Sequence, residues 1–360
     1  MTSLLALALL ACGGSTPAPT PDQASPAAVE EAPAAEPEAA AEEEVPVSEV
    51  HKNIFKPVTK PTPAGHTKDL VDLGRMLYYE PRLSLGQDIS CNSCHDLMAY
   101  GVDGKPTSPG HKGQLGARNS PSSYFAFAHV AQFWDGRAKT VEEQALGPIT
   151  NPVEMAMPDL DTVVALLDTI PGYQTAFAKA FPSQTKPITA ENIGRAIGAF
   201  ERNLVTPGRW DEYLGGKGSA LTPEERAGAD LFVSTGCISC HNGAFLGGNS
   251  FQKLGAVEPY ETADEGRKEV TGEEADLHVF KVPSLRNVAK TGPWFHDGSV
   301  ATLEEAVKLM ARHQLGKLLT DEEAASITTF LGALTGTIDK AYVVAPALPP
   351  GGPETPGPKE

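Results

Sequence analysis

Two five-residue motifs carry the most specific chemistry in this chain. Cys91-Asn92-Ser93-Cys94-His95 and Cys237-Ile238-Ser239-Cys240-His241 both read C-x-x-C-H. Two thiols at this spacing can add across the vinyl groups of a haem, and the adjacent His can turn back to ligate the iron. Two other chemistries use paired cysteines. A ribbon-type zinc site needs its pairs close together, whereas Cys94 and Cys237 lie 143 positions apart. A dithiol oxidoreductase has no need of a His after both pairs. Two covalent c-type haems are therefore expected, on Cys91, Cys94 and His95 and on Cys237, Cys240 and His241. Each iron then needs a sixth ligand, permanent in an electron carrier and absent in a working catalyst. His111 follows His95 by 16 residues, in the Gly/Pro-rich loop TSPGHKGQLG. A loop suits a ligand that must swing away. Met310 lies on a stripe with Leu303 and Val307, and that pattern alone favours core packing.

Helices must position these motifs. Ile193, Ile197, Phe200 and Leu204 step along one helical face. Thr222-Pro223-Glu224-Glu225 reads as an N-cap, a Pro at the first helical position and a capping-box Glu. Thr302 with Glu305 and Thr320 with Glu323 repeat the box. Strand alternation is scarce, so the 35 Gly and 31 Pro imply long loops, above all over 98–125 and 242–300. Gly74-x-x-Leu77-Tyr78 precedes the first motif and Gly228-x-x-Leu231-Phe232 the second. This echo points to two related units meeting near 206–221. The expected fold is mainly α: two c-type cytochrome domains, 51–210 and 211–345, each wrapped around one covalent haem, with long ordered loops.

The ends read differently. SLLALALLA over 3–11 is too short to span a bilayer as a helix and ends at Cys12, so Leu9-Leu10-Ala11-Cys12 resembles a bacterial lipobox within a signal over 1–12. No Lys or Arg precedes it. Residues 13–50 hold nine acids and no Lys or Arg, roughly half of the net charge of −17. Rich in Ala, Pro and Glu, they are expected to form a disordered tether. The tail 346–360 is expected to be disordered too. The acidic balance argues against nucleic acid as a partner. Hydrophobic residues at 41% and charged residues at 21% suit a globular body, and no apolar run is long enough for a membrane helix.

Across about 66–335 the chain resembles the bacterial di-haem cytochrome c peroxidases. The motifs that carry the likeness are CNSCHDL, SPGHKGQLGARNSPS, AQFWDGRAKTVEEQALGPITNPVEM, GCISCHNG, FKVPSLRNVAKTGPWFHDGS and LEEAVKLM. The resemblance implies a peroxidatic first haem with His95 proximal and His111 capping the iron until activation. It implies a second, electron-transferring haem with His241 and Met310 as axial ligands, overturning the packing reading of Met310. By the same match Gln144 and Glu154 belong to the peroxide pocket, and Trp134 lies between the haems. His296 is expected at the second haem near the domain interface. Asn119, Thr291 and Pro293 match a calcium site. Trp294 stands where a Tyr is common. Met98, Met155 and Met157 are alternative ligands, and His51, His66, His129, His278 and His313 receive no role.

The resemblance implies reduction of hydrogen peroxide to two waters in the periplasm, on a protein lipid-anchored through Cys12. The electron donor would be a small monohaem cytochrome c or a cupredoxin, and the family is often a homodimer. Loss of His111 from the first iron would be driven by reduction of the second haem and biased by calcium. Two other readings remain: a protein-modifying oxidase of the methylamine-utilisation maturase type, in which a Tyr replaces the Met ligand, and a pure electron-transfer di-haem cytochrome. Met310 argues against the first; Glu154 and Gln144 argue against the second.

Overall fold

The computed structural model describes residues 16, 18, 45–58 and 66–359. The signal, Cys12 and most of the tether lie outside the described residues. Within them the protein is mainly helical, with one two-stranded antiparallel sheet. Strand β1 (Phe251–Lys253) pairs with β2 (Val279–Lys281), setting Phe251 opposite Lys281. No described helix is long and apolar enough to cross a membrane.

Two hydrophobic cores organise the chain, and each is built on the same helix pair. In the first, the Lys68–Tyr78 helix crosses the Ala190–Glu201 helix at Gly74. A Cβ at Gly74 would sit 1.8 Å from the Ala196 carbonyl oxygen, so only glycine permits the approach. In the second, the Pro223–Thr235 helix crosses the Asp321–Ala333 helix at Gly228, 2.2 Å from the Ser326 carbonyl by the same construction. Beyond each glycine an aromatic edge seals the pair: Tyr78 on Phe200 and Phe232 on Phe330, both at 5.4 Å. The Gly-x-x-Leu-aromatic echo is thus a repeated packing unit.

Local signals explain where these helices start. Thr222 with Glu225 and Thr320 with Glu323 form complete capping boxes. Thr302 accepts from the Glu305 amide and forms only that half of the box. The Ile193–Ile197–Phe200 face is fully buried, but Leu204 lies past the helix end and reaches the same core from the following turn. Core membership changes between Val205, in the first core, and Trp210, in the second.

Both ends depart from expectation. The tether was expected to run disordered to residue 50, yet Val47 is buried in the second core and Ser48 caps a helix over Glu49–Ile54. Phe55 joins that core, and His51 bonds Tyr213, so a segment assigned to the first domain packs partly on the second. Conversely Tyr342 and Val343 pack on the first core. Of the tail expected to be disordered over 346–360, the described residues 346–359 continue along it. Arg82 donates to the Pro349 carbonyl, Gln87 to Pro356, and the Lys359 amide to Leu85. Prolines hold such a strap extended at little entropic cost, which composition alone reads as disorder.

Candidate functional site

The second C-x-x-C-H motif follows its core helix directly, and the first follows after residues 79–90, which include a 3-10 turn over Pro81–Leu83. Cys91–Cys94 forms one helical turn capped by Ser90, and Cys237–Ser239 a 3-10 turn after the left-handed Gly236. His95 Nδ1 lies 3.4 Å from the Gly101 carbonyl and His241 Nδ1 lies 3.0 Å from the Leu246 carbonyl. A carbonyl only accepts, so the proton sits on Nδ1 and each Nε2 keeps its lone pair for a metal. Burial lowers the pKa of both rings, which keeps them neutral. Burial also raises the thiols, Cys91 to about 12 and Cys237 to about 11.

The second motif opens on a cavity of about 260 Å³ lined by Cys237, Cys240, His241 and Met310. Met310 projects from the Leu303–Leu315 helix, a rigid mount. Two thiols, an imidazole with a free Nε2 and a thioether on one mostly apolar wall form a donor set that fits a haem. Asn119, Trp134, Thr291, Pro293 and His296 line the same cavity. Trp134 donates from Nε1 to the Asn119 carbonyl at 2.9 Å. The Asn119 amide donates in turn to the His296 carbonyl at 2.7 Å. The His296 ring packs on Phe280 at 4.4 Å, with Nε2 against the Thr262 hydroxyl at 3.1 Å. The Asn119 side-chain amide donates to the Lys105 and Pro106 carbonyls. Its Oδ1 accepts from none of the described residues, leaving a neutral oxygen available to a hard cation.

The first motif gathers a different set. His111 sits in a short turn whose amide donates to the Val153 and Glu154 carbonyls at 3.0 and 2.8 Å. Gly110 makes that approach, since a Cβ there would lie 2.0 Å from the Val153 oxygen. His111 and Glu154 are therefore carried on two strapped-together loops. Burial raises the Glu154 pKa, opposed by Arg137 and by Asn151. Glu154 is felt electrostatically by the Cys94 thiol, which places it beside the first motif. Gln144 ends a helical turn capped by Thr140, one short turn before that loop. Met155 and Met157 are core residues, and Met98 is half-exposed.

Three features of the two sites escaped the sequence reading. Glu201 is buried and its pKa is raised to about 8 by burial and by Glu142, against Arg202. It raises the Cys91 thiol in turn. Arg118 binds Asp135, Asp264 and Glu269 at once, fixing the loop of Trp134 to the loop before β2. Lys281 is buried and His129 half-buried, with its Nε2 buried, in the wall of the second cavity. A Lys inside the apolar run Val279-Phe280-Lys281-Val282 was the available signal.

The family model described as di-haem cytochrome c peroxidase matches residues 68–219. A cytochrome c551 peroxidase of Nitrosomonas europaea is 46% identical over 305 residues, covering 84% of this chain and 89% of that one. A cytochrome c551 peroxidase of Pseudomonas aeruginosa is 44% identical over 296 residues, covering 80% and 84%. Among solved structures, a MauG-like protein associated with microbial copper homeostasis superposes with a TM-score of 0.69 at 30% identity, covering 81% of this chain and 96% of that one.

Proposed function

The chain belongs to the di-haem cytochrome c peroxidase family, and from that premise we propose that it reduces hydrogen peroxide to two waters in the periplasm, drawing electrons from a small monohaem cytochrome c or cupredoxin. The family implies two c-type haems. Bound at His95 and His241, they supply the iron that takes peroxide and the iron that stores an electron. Cysteines 91, 94, 237 and 240 would hold them, with His111 and Met310 on the far faces.

The observation that carries this reading is the strapping of the His111 turn to the Glu154 segment. Release of His111 would open space at the segment that carries this half-buried carboxyl, since the His111 amide is bonded to the Glu154 carbonyl. Cleaving the O–O bond requires a proton to move from the inner to the outer oxygen, so that water can leave. Glu154 takes that proton and returns it, and its raised pKa brings it nearer to the operating pH. Gln144, donor and acceptor in one side chain, orients the bound oxygen. Trp134, bonded to Asn119 and to the β2 backbone, offers an indole between the two sites. Calcium on the free Asn119 oxygen and the Thr291 and Pro293 carbonyls would brace that bridge and bias the release of His111. Lipid anchoring through Cys12 and dimerisation belong to the same proposal.

Stopped-flow absorption of the haem-loaded protein tests it. With one electron equivalent and calcium supplied, stoichiometric peroxide should rapidly reoxidise the ferrous haem. A ferrous spectrum that persists would overturn the peroxidase reading.

A further inference from the structure

Among the described residues, nothing negative stands beside the Lys281 ammonium. Its side chain is buried, and burial alone, with no charged partner contributing, draws its pKa down to about 8. Among the described residues its side chain has one hydrogen-bond partner, His129 Nδ1 at 3.1 Å. Since the ammonium can only donate, His129 accepts on Nδ1 and carries its proton on Nε2. That Nε2 is itself buried without a partner. Within one wall, therefore, His129 Nε2 lacks any acceptor and the Lys281 ammonium, with one neutral acceptor, lacks a counter-charge among the described residues. An unpaired buried charge is costly to keep, and native structures rarely keep one without a counter-charge.

The pair is held in place from several sides. The Lys281 backbone lies in β2, opposite Phe251, and its amide donates to the Trp134 carbonyl at 2.7 Å. His129 fits because residue 248 is glycine: a Cβ there would lie 2.3 Å from the imidazole. The Gly248 amide donates to Val282 and its carbonyl accepts from Val130, which ties the His129 turn to the strand that carries Lys281. Lys281 and His129 line the same cavity as Cys237, Cys240, His241 and Met310.

We propose that Lys281 and His129 form the carboxylate-binding site that anchors a propionate of the second haem. A propionate has the two acceptor oxygens and the negative charge that this wall lacks. Lys281 Nζ donates to one oxygen as a charge-assisted bond, and His129 Nε2 supplies a second donor. Because the Lys281 amide holds Trp134, the same residue fixes the carboxylate edge of the second haem relative to the indole. Lys281 is thus a positioning residue for electron transfer, and its charge favours ferrous iron at the second site. The inference rests on the di-haem reading.

The test uses the full haem-loaded chain as wild type, Lys281→Gln, Lys281→Arg, His129→Gln and, as a control on the exposed strand of the same sheet, Lys253→Gln. Spectroelectrochemistry reads the midpoint potential of the second haem. Redox-difference infrared spectra with carboxyl-labelled haem read the propionate bands. In Lys281→Gln the reduction equilibrium should shift about tenfold toward ferric iron, a fall of about 59 mV, and the propionate bands should move. Lys281→Arg should restore the potential. His129→Gln should move the bands without removing a charge, and it gives this readout even if Lys281→Gln fails to mature. If the bands stay at their wild-type positions in both variants, or the Lys281→Gln potential matches that of Lys253→Gln, the anchor is overturned. Absence of haem at Cys237 and Cys240 in the wild type would instead overturn the di-haem reading itself.

Discussion

The two C-x-x-C-H regions share a mount and differ in everything placed around it. Each follows a helix that crosses its partner at a glycine and is sealed by an aromatic edge at 5.4 Å. Each has its motif His fixed through Nδ1 to a carbonyl. Around the first lie two buried or half-buried carboxyls, Glu154 and Glu201, and a His on a turn. Around the second lie a buried Lys, a half-buried His and a Met on a helix of more than three turns. Carboxylates favour oxidised iron and can carry protons; a cation and a thioether favour reduced iron. A ligand on a loop can leave, and a ligand on a packed helix stays. On the proposed reading, one attachment unit, used twice, would serve proton chemistry in one place and electron storage in the other, with the division set by the surroundings.

The sharpest way to break this division is to remove the acid–base group from the first region. Glu154→Gln keeps the shape and loses the titrating oxygen. Peroxide turnover should fall by about 10² to 10⁴-fold, while the potential of the second haem stays at its wild-type value. A variant that turns over normally would dissolve the contrast. The loop ligand comes next. His111→Gly should let the fully oxidised protein react with peroxide without prior reduction, as read by rapid mixing. If the resting variant is as slow as wild type, the loop is no gate.

The glycine crossings test the shared half of the comparison. Gly74→Ala and Gly228→Ala each drive a Cβ into a helix backbone, at 1.8 Å and 2.2 Å from a carbonyl oxygen. Each should cost roughly 1–3 kcal/mol in denaturant unfolding, with Gly74→Ala the worse because its contact is closer. Equal stability to wild type in either would show that the crossing is slack.

Much of this was legible in the sequence because it depends on spacing. C-x-x-C-H, the glycine echo and the capping boxes are local patterns, and the helices follow from them. The surroundings were harder to read because they are assembled from distant segments. Lys281 and His129 lie 152 positions apart, and the carboxyl of Glu201 is buried by packing that no local pattern encodes. His129 read as a packing residue because an isolated His carries no partner in its own sequence neighbourhood. The strap over 346–359 was missed for a different reason: its Pro and Gly content is that of a disordered tail, and long-range bonds to Arg82, Gln87, Leu85 and Thr169 distinguish the two.

Glu201 gives the first region a pH signature of its own, opposite in sign to that of the buried Lys281 in the second. Its folded pKa of about 8 lies above the ordinary carboxyl value, chiefly through burial. The folded state then holds a proton that the unfolded state has released. Its contribution to stability is full below the unfolded pKa and is lost as pH rises through the folded one. The unfolding midpoint should therefore fall between about pH 5 and pH 8, and Glu201→Gln should flatten that slope. A wild-type slope that survives the substitution would assign it to other groups.

The smallest effect belongs to the strap, and it should touch only one region. Removing residues 346–360 deletes three bonds to the segment 82–87, at 2.9, 2.9 and 3.0 Å. At roughly 0.5–1.5 kcal/mol each, the loss should be about 2 kcal/mol. Its direction in space matters more than its size. The Leu85 carbonyl accepts from the strap, while the Leu85 amide donates to Met155, the neighbour of Glu154. Freeing Leu85 on one side should loosen it on the other. Amide exchange should accelerate at Leu85 and Met155 and stay unchanged at Met310 and Lys281, because the strap makes no bond to the second lobe among the described residues. Faster exchange in both regions would mean that the two lobes open as one cooperative unit, and the separation of their roles would then need another physical basis than separate mounts.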